Sequence, residues 1–176
     1  MKRAVFFDRD GVLNEEVGFL YEVEKFIWVD GAREAIKFCN DNNLLTVVVT
    51  NQSGIARGMY TAHEVENIHA FMQRSLAEIG AHIDAFYYCP HHPEGKITEL
   101  AVACDCRKPK PGMILRACAE LEINPAESIL FGDSKRDLDA AQAAGLRAGI
   151  SFTSENNLLD VVKLSVKKFL HVDGKE

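Results

Sequence analysis

The sequence predicts an α/β chain folded as a doubly wound, mainly parallel sheet of Rossmann-like topology. Three observations predict it. Short apolar runs alternate with stretches of helical spacing along the whole chain. The runs are rich in Val, Ile and Phe without polar alternation, the pattern of strands buried on both faces. The most unusual acidic and hydroxyl residues directly follow those runs, where the sites of open parallel sheets lie. At 176 residues about one domain is expected, spanning 1–176 without linker, repeat or low-complexity tract.

Ala4-Val5-Phe6-Phe7 reads as the first strand, ended by Asp8. Residues 12–29, rich in Glu and Gly, read as a loop or small hairpin. Asp30 is expected to N-cap a helix over 32–42, with Ala35, Ile36 and Cys39 facing the core. Residues 44–49 make a valine-rich strand ending at Thr50-Asn51. Thr61 and Glu64 form a capping box that opens a helix over 62–79. Met59, Phe71, Met72 and Leu76 are expected to pack there, and a third strand follows at 85–88. Residues 89–111 carry Cys, His and Pro with no period, so they read as an irregular loop held by something other than a core. Helical spacing resumes at Met113, Ile114, Ala117, Cys118 and Leu121. A strand at 128–131, a helix at 136–144 and a strand at 147–150 follow. Ser154 is expected to cap a last helix over 155–170.

Composition excludes several classes. Twenty basic against 26 acidic residues give a net charge of −6, which argues against a general nucleic-acid binder. No apolar run approaches the roughly 18 residues of a spanning helix. Lys2 and Arg3 precede only four apolar residues, so no secretory leader is expected. Five cysteines, three of them crowded between 89 and 106, fit an intracellular metal-binding protein better than a secreted disulfide scaffold. A cytoplasmic protein is expected.

Two residue clusters carry chemistry. Asp8 and Asp10 share one side of an extended backbone, because side chains repeat every two residues. With Asp133 after the fourth strand, they offer hard oxygen ligands suited to Mg²⁺. Asp137 fits either a helix cap or a metal ligand. Arg107, Lys108 and Lys110 stand on a proline-stiffened stretch with no acidic residue, suited to holding a phosphate. Thr50-Asn51-Gln52-Ser53-Gly54 is either a polar turn or a phosphate-binding loop. In the second cluster, Cys89-x-His91 and Cys104-x-Cys106 supply three sulfurs and an imidazole, enough for a closed, structural Zn²⁺ site. His92 is an alternative to His91, and a Cys104–Cys106 disulfide is an alternative to zinc. Cys39 and Cys118 read as inert thiols, and His63, His69 and His82 as surface or packing residues. Phe26 and Trp28 fit either the site or the sheet edge.

Asp8-x-Asp10-Gly11, Thr50-Asn51, the Lys108 segment and Gly132-Asp133-x-x-x-Asp137, in this order over 4–137, resemble the four motifs of the haloacid dehalogenase superfamily. DRDGVLN at 8–14, TNQSGIARG at 50–58, CPHHP at 89–93 and CDCRKPKPGM at 104–113 are similar to its zinc-loop phosphatases of small metabolites. The resemblance implies that Asp8 attacks phosphorus to form an aspartyl-phosphate, with Asp10 as general acid and base. Mg²⁺ would bind the side chains of Asp8 and Asp133 and the carbonyl of Asp10, while Thr50 and Lys108 hold the phosphoryl oxygens. Arg107 would recognise substrate, as would Glu16, Val17, Gly18 and Phe19 and then Asn51, Gln52 and Ser53. Arg57 is a candidate for a distal phosphate. The family zinc set corresponds to Cys89, His91, Cys104 and Cys106. Ser134 stands where some relatives have Lys. The expected reaction removes the 7-phosphate of a heptose bisphosphate, with histidinol phosphate or another small sugar phosphate as the alternative. The partner implied is a small phosphorylated sugar meeting a monomer with no large cap domain. A zinc-stabilised interaction module without activity is the competing class.

Overall fold

The computed structural model describes residues 1–172. Its frame is a five-stranded sheet: β1 (Ala4–Phe7), β2 (Leu45–Asn51), β3 (Ala85–Cys89), β4 (Ile129–Gly132) and β5 (Ala148–Ser151). The order is β3-β2-β1-β4-β5 and every pairing is parallel. The five helices are α1 (Ala32–Asp41), α2 (Ala62–Ala77), α3 (Gly112–Leu121), α4 (Lys135–Ala143) and α5 (Leu158–Ser165). The sheet is thus doubly wound as the alternation predicts.

Period-two alternation along the strands divides the interior into two cores. Val5, Phe7, Val48, Ile129 and Phe131 face α1, α2 and α5. Ala4, Phe6, Val47, Val49 and Leu130 face α3 and α4. The rings of Phe7 and Phe131 stack with centroids 5.6 Å apart, and each buried Phe contributes roughly 2–3 kcal/mol. β1 lies at the middle of the sheet, so Asp8 leaves a strand that is paired on both edges and wholly buried.

Helix starts show where local reading succeeds. Thr61 and Glu64 form the expected box: the Thr61 N–H donates to Glu64 Oε2 at 2.7 Å and the Glu64 N–H to Thr61 Oγ1 at 3.4 Å. Asp30, by contrast, does not cap α1. The chain enters that helix through Gly31 at φ 75°, and Asp30 turns to the far end of the sequence. Its carboxylate accepts from Asn157 Nδ2 at 2.9 Å, and its carbonyl from the Leu158 N–H at 2.9 Å. Asn157 rather than Ser154 then caps α5, accepting from the Asp160 N–H. Residues 12–29 form an irregular loop with a 3-10 turn at Val23–Lys25, closed at its base by an antiparallel bridge between Asn14 and Trp28. Trp28 packs edge-on against Phe26 and donates to Ser75 Oγ at 3.0 Å, covering α2 rather than lining the site. Met59 is 48% exposed and does not share the packing of Met72 and Leu76. All five cysteines are free thiols, so Cys104 and Cys106 form no disulfide. Among the described residues no helix is long and apolar enough to cross a membrane.

Candidate active site and metal-ligating clusters

Three strands deliver their last residues to one edge. Asp8 follows β1, Thr50 and Asn51 end β2, and Asp133 follows β4. Lys108 reaches them from the loop between β3 and α3 and is almost wholly buried. Its ammonium forms ion pairs with Asp8 Oδ1 at 2.9 Å and Asp137 Oδ1 at 2.7 Å and donates to the Val49 carbonyl at 2.8 Å. Asn51 fixes the lysine by a reciprocal pair with its backbone, accepting from the Lys108 N–H at 3.0 Å and donating to its carbonyl at 3.1 Å. Burial opposes the charge on Lys108, but Asp8 and Asp137 outweigh it and hold the ammonium above its ordinary pKa.

Burial acts the other way on Asp8, whose pKa is pushed up to about 7 despite Lys108, with Asp137 and Asp10 adding repulsion. Asp133 is also raised, by burial and then by Asp137. Carboxylate oxygens of Asp8, Asp133 and Asp137 lie within 4.8 Å of one another. Lys108 therefore pairs with two of the three carboxylates and Arg136 only partly offsets the third, Asp133, so the hard donor set is short of positive charge in the way a bound divalent cation would correct. Glycine makes the convergence possible. A Cβ on Gly11, at φ +84°, would lie 2.2 Å from Asp133 Oδ2, and one on Gly132 would lie 2.1 Å from Asp137 Cβ. Asp137 caps its helix as one of the two sequence readings has it, accepting from the Ser134 N–H and Oγ, and its carboxylate also lies beside those of Asp8 and Asp133.

These residues open into a cleft of roughly 300 Å³. Asp8, Asp10, Thr50 and Lys108 line it together with Glu16, Gly18, Phe19, Asn51, Gln52, Ser53, Arg57 and Arg107. Val17 is 48% exposed and is not among the lining residues. Glu16 has a raised pKa, from burial first and from Asp10 second, although it accepts the Gly18 N–H at 2.7 Å.

The second cluster lies one strand away. Cys89 ends β3 opposite Asn51, and the Gln52 N–H donates to its carbonyl at 2.8 Å. Sγ of Cys106 is 3.1 Å from Cys89 Sγ, 3.4 Å from Cys104 Sγ and 3.3 Å from His91 Nδ1. Cys89 Sγ is 3.6 Å from both Cys104 Sγ and His91 Nδ1. A tetrahedral metal with bonds of about 2.3 Å to sulfur spaces its sulfurs roughly 3.8 Å apart. The four groups are thus close to the edges of such a tetrahedron and could hold a metal ion. His92 is directed elsewhere, its Nε2 3.1 Å from a guanidinium nitrogen of Arg57.

The family model for haloacid dehalogenase-like hydrolases matches residues 14–145. The chain belongs to the haloacid dehalogenase-like hydrolases. Among curated members of this family, D-glycero-beta-D-manno-heptose-1,7-bisphosphate 7-phosphatase of Pasteurella multocida is 46% identical over 147 residues, covering 84% of this chain and 79% of that protein. The enzyme of the same name from Escherichia coli K12 is 44% identical over 143 residues, covering 81% and 75%. Among solved structures, a D,D-heptose 1,7-bisphosphate phosphatase from B. bronchiseptica, complexed with magnesium and phosphate, superposes with a TM-score of 0.80 at 31% identity, covering 96% of this chain and 99% of that one.

Several residues of this haloacid dehalogenase-like site escaped the sequence reading. Arg9, the middle residue of Asp8-Arg9-Asp10, is wholly buried and binds Asp10 Oδ1 at 3.0 Å. Asn14 Nδ2 donates to the same oxygen at 3.0 Å. Tyr60 also escaped it: its hydroxyl holds Gln52, a residue the sequence did single out, which bridges Asp10 and Thr50. Arg136 lines the cleft from the first turn of α4. Only the last carried a signal, since Lys135 and Arg136 put positive charge at a helix N-terminus, where the dipole disfavours it.

Proposed function

We propose that this chain is a cytoplasmic Mg²⁺-dependent phosphatase that removes the 7-phosphate of D-glycero-β-D-manno-heptose 1,7-bisphosphate, working as a single monomeric domain. The observation that supports this most is the pairing of two anion-binding sets in one cleft. Asp8 and Lys108 form the reacting end, while Arg57, Arg107 and Arg136 line the same cleft and have no carboxylate partner among the described residues. A bisphosphate uses both sets. The named relatives add the sugar and its β anomer, and the five free thiols suit a reducing compartment.

Asp8 and Asp133 side chains with the Asp10 carbonyl would hold Mg²⁺, whose charge would favour ionised Asp8 and screen it from the incoming phosphate. Asp8 attacks phosphorus in line, so the Asp8–phosphorus bond forms as the bond to the sugar oxygen breaks. Lys108 and the Thr50 hydroxyl hold the equatorial oxygens during the transfer. Asp10 gives its proton to the departing sugar oxygen. It then takes a proton from the water that hydrolyses the aspartyl-phosphate, which returns Asp8 as a carboxylate and releases phosphate. In this reading Cys89, His91, Cys104 and Cys106 hold a structural Zn²⁺ that fixes the loop bearing Arg107 and Lys108.

Phosphate release with Mg²⁺ from the β and α anomers of the heptose bisphosphate and from histidinol phosphate tests the proposal. The β anomer is expected to react fastest. Faster turnover of histidinol phosphate would reassign the substrate, and no release from any of the three would overturn the reading altogether.

A further inference from the structure

We infer that Tyr60 is a positioning residue for proton delivery, acting through Gln52 on the carboxylate of Asp10. The inference rests on the reading of Asp10 as the acid that protonates the leaving oxygen. Asp10 lines the cleft with its carboxylate surrounded by donors on the protein side. Oδ1 accepts from Arg9 Nε at 3.3 Å, an Arg9 terminal nitrogen at 3.0 Å and Asn14 Nδ2 at 3.0 Å. Oδ2 has one short partner, Gln52 Nε2 at 2.9 Å, and a longer one to Arg9 at 3.2 Å. A carboxylate oxygen has two in-plane lone pairs. Oδ1 has three donors against two on Oδ2, so a transferable proton is taken by Oδ2 in place of its long contact to Arg9.

Which end of the Gln52 amide faces Oδ2 then decides where that proton can go. With Nε2 there, the amide can only donate, and a proton on Oδ2 has no acceptor within the protein. With Oε1 there, the amide would accept the proton and keep it from the leaving group. The orientation follows from a chain of donors. The Tyr60 hydroxyl donates to Gln52 Oε1 at 2.7 Å. Nε2 is thereby directed to Asp10 and to Thr50 Oγ1, each at 2.9 Å. Gln52 and Tyr60 are both buried, at 2% and 6% exposure. Their approach depends on Gly54, where a Cβ would lie 2.0 Å from the Tyr60 ring.

The test compares leaving groups. kcat/KM reports steps up to the loss of the leaving group, and a sugar alkoxide needs a proton where 4-nitrophenolate does not. In Tyr60→Phe, kcat/KM for the heptose bisphosphate is expected to fall about tenfold or more, within the range of general acid catalysis. With 4-nitrophenyl phosphate it is expected to fall by less than about threefold. Equal losses on both substrates, or no loss on either, would overturn the inference, because a structural role does not distinguish leaving groups. Asp10→Asn is expected to show the same split more strongly. If it shows none, Asp10 is not the acid, and the inference fails with the reading beneath it. A melting curve for Tyr60→Phe within a few degrees of the parent's assigns the split to chemistry rather than unfolding.

Discussion

Asp8, Lys108 and Asp137 meet as ion pairs inside the protein, whereas Cys89, His91, Cys104 and Cys106 meet only through weak thiol contacts on an irregular loop. The first cluster grows from β1 and β4 in the centre of the sheet and keeps its shape by ion pairing. The second takes only Cys89 from a strand; the rest comes from the loop between β3 and α3, which offers little apolar surface to bury. Removing a charge from the first leaves another buried and unpaired. Removing the metal proposed for the second takes away what holds the loop. Both clusters act on Lys108, one from the side of its ammonium and the other from its backbone.

Two substitutions strain the carboxylate side of this comparison, and the larger effect is on rate. Asp8→Asn keeps shape and volume but removes the nucleophile, so phosphate release is expected to fall roughly a thousandfold or more. Lys108 keeps its pair with Asp137, so the variant should remain folded. Residual turnover above about one per cent would exclude Asp8 as nucleophile. Lys108→Met leaves both Asp8 and Asp137 buried without their cation, and urea denaturation is expected to show a loss of about 3–5 kcal/mol. A loss below about 1 kcal/mol would mean that the pairing does not organise the cleft.

Cys106→Ser probes the other side. Metal analysis of protein purified without chelator is expected to find one zinc per chain, and the variant to find little. Turnover should drop roughly 10–100-fold, the usual scale when the support of a site is loosened, because Arg107 and Lys108 directly follow Cys106. If the parent contains no zinc, or loses it without change in rate, the loop is held in some other way and the two clusters are independent.

How much of this was legible follows from range. The strands were readable because each is a continuous apolar run, and Asp8, Asp10 and Asp133 because each stands directly after one. The Cys/His set was readable because four ligands of two types fall in 18 residues. Residues whose role depends on a distant partner were not. Asp30 has a local cap signal, yet Asn157 lies 127 positions away and takes it. Alternation places Arg9 opposite Asp8 and Asp10, which says nothing of a guanidinium that folds back to grip its neighbour. Tyr60 reads as one aromatic in a loop until Gly54 lets its ring approach Gln52. Arg136 needed the fold to bring it beside Arg107.

The smallest expected effect lies beyond both clusters, at His69 on α2. The ring is 6% exposed, stacks on Phe86 with centroids 4.3 Å apart, and has no hydrogen-bond partner at Nε2. Burial, with Arg9 close behind, lowers its pKa from 6.5 to about 3. The unfolded chain therefore takes up this proton first as pH falls. The contribution of His69 to stability is complete above about pH 6.5 and is lost progressively from there toward pH 3. By pH 5 the loss is about 2 kcal/mol, at 1.36 kcal/mol per unit below 6.5. His69→Phe, which retains the stacking surface, should flatten the fall in urea-measured stability between pH 6.5 and 5 by about that amount. An unchanged slope would mean that His69 is protonated in the folded protein. Its neighbour Arg9 would then face a second buried cation behind Asp10, and the carboxylate site would no longer be the self-contained pairing that sets it apart from the thiol cluster.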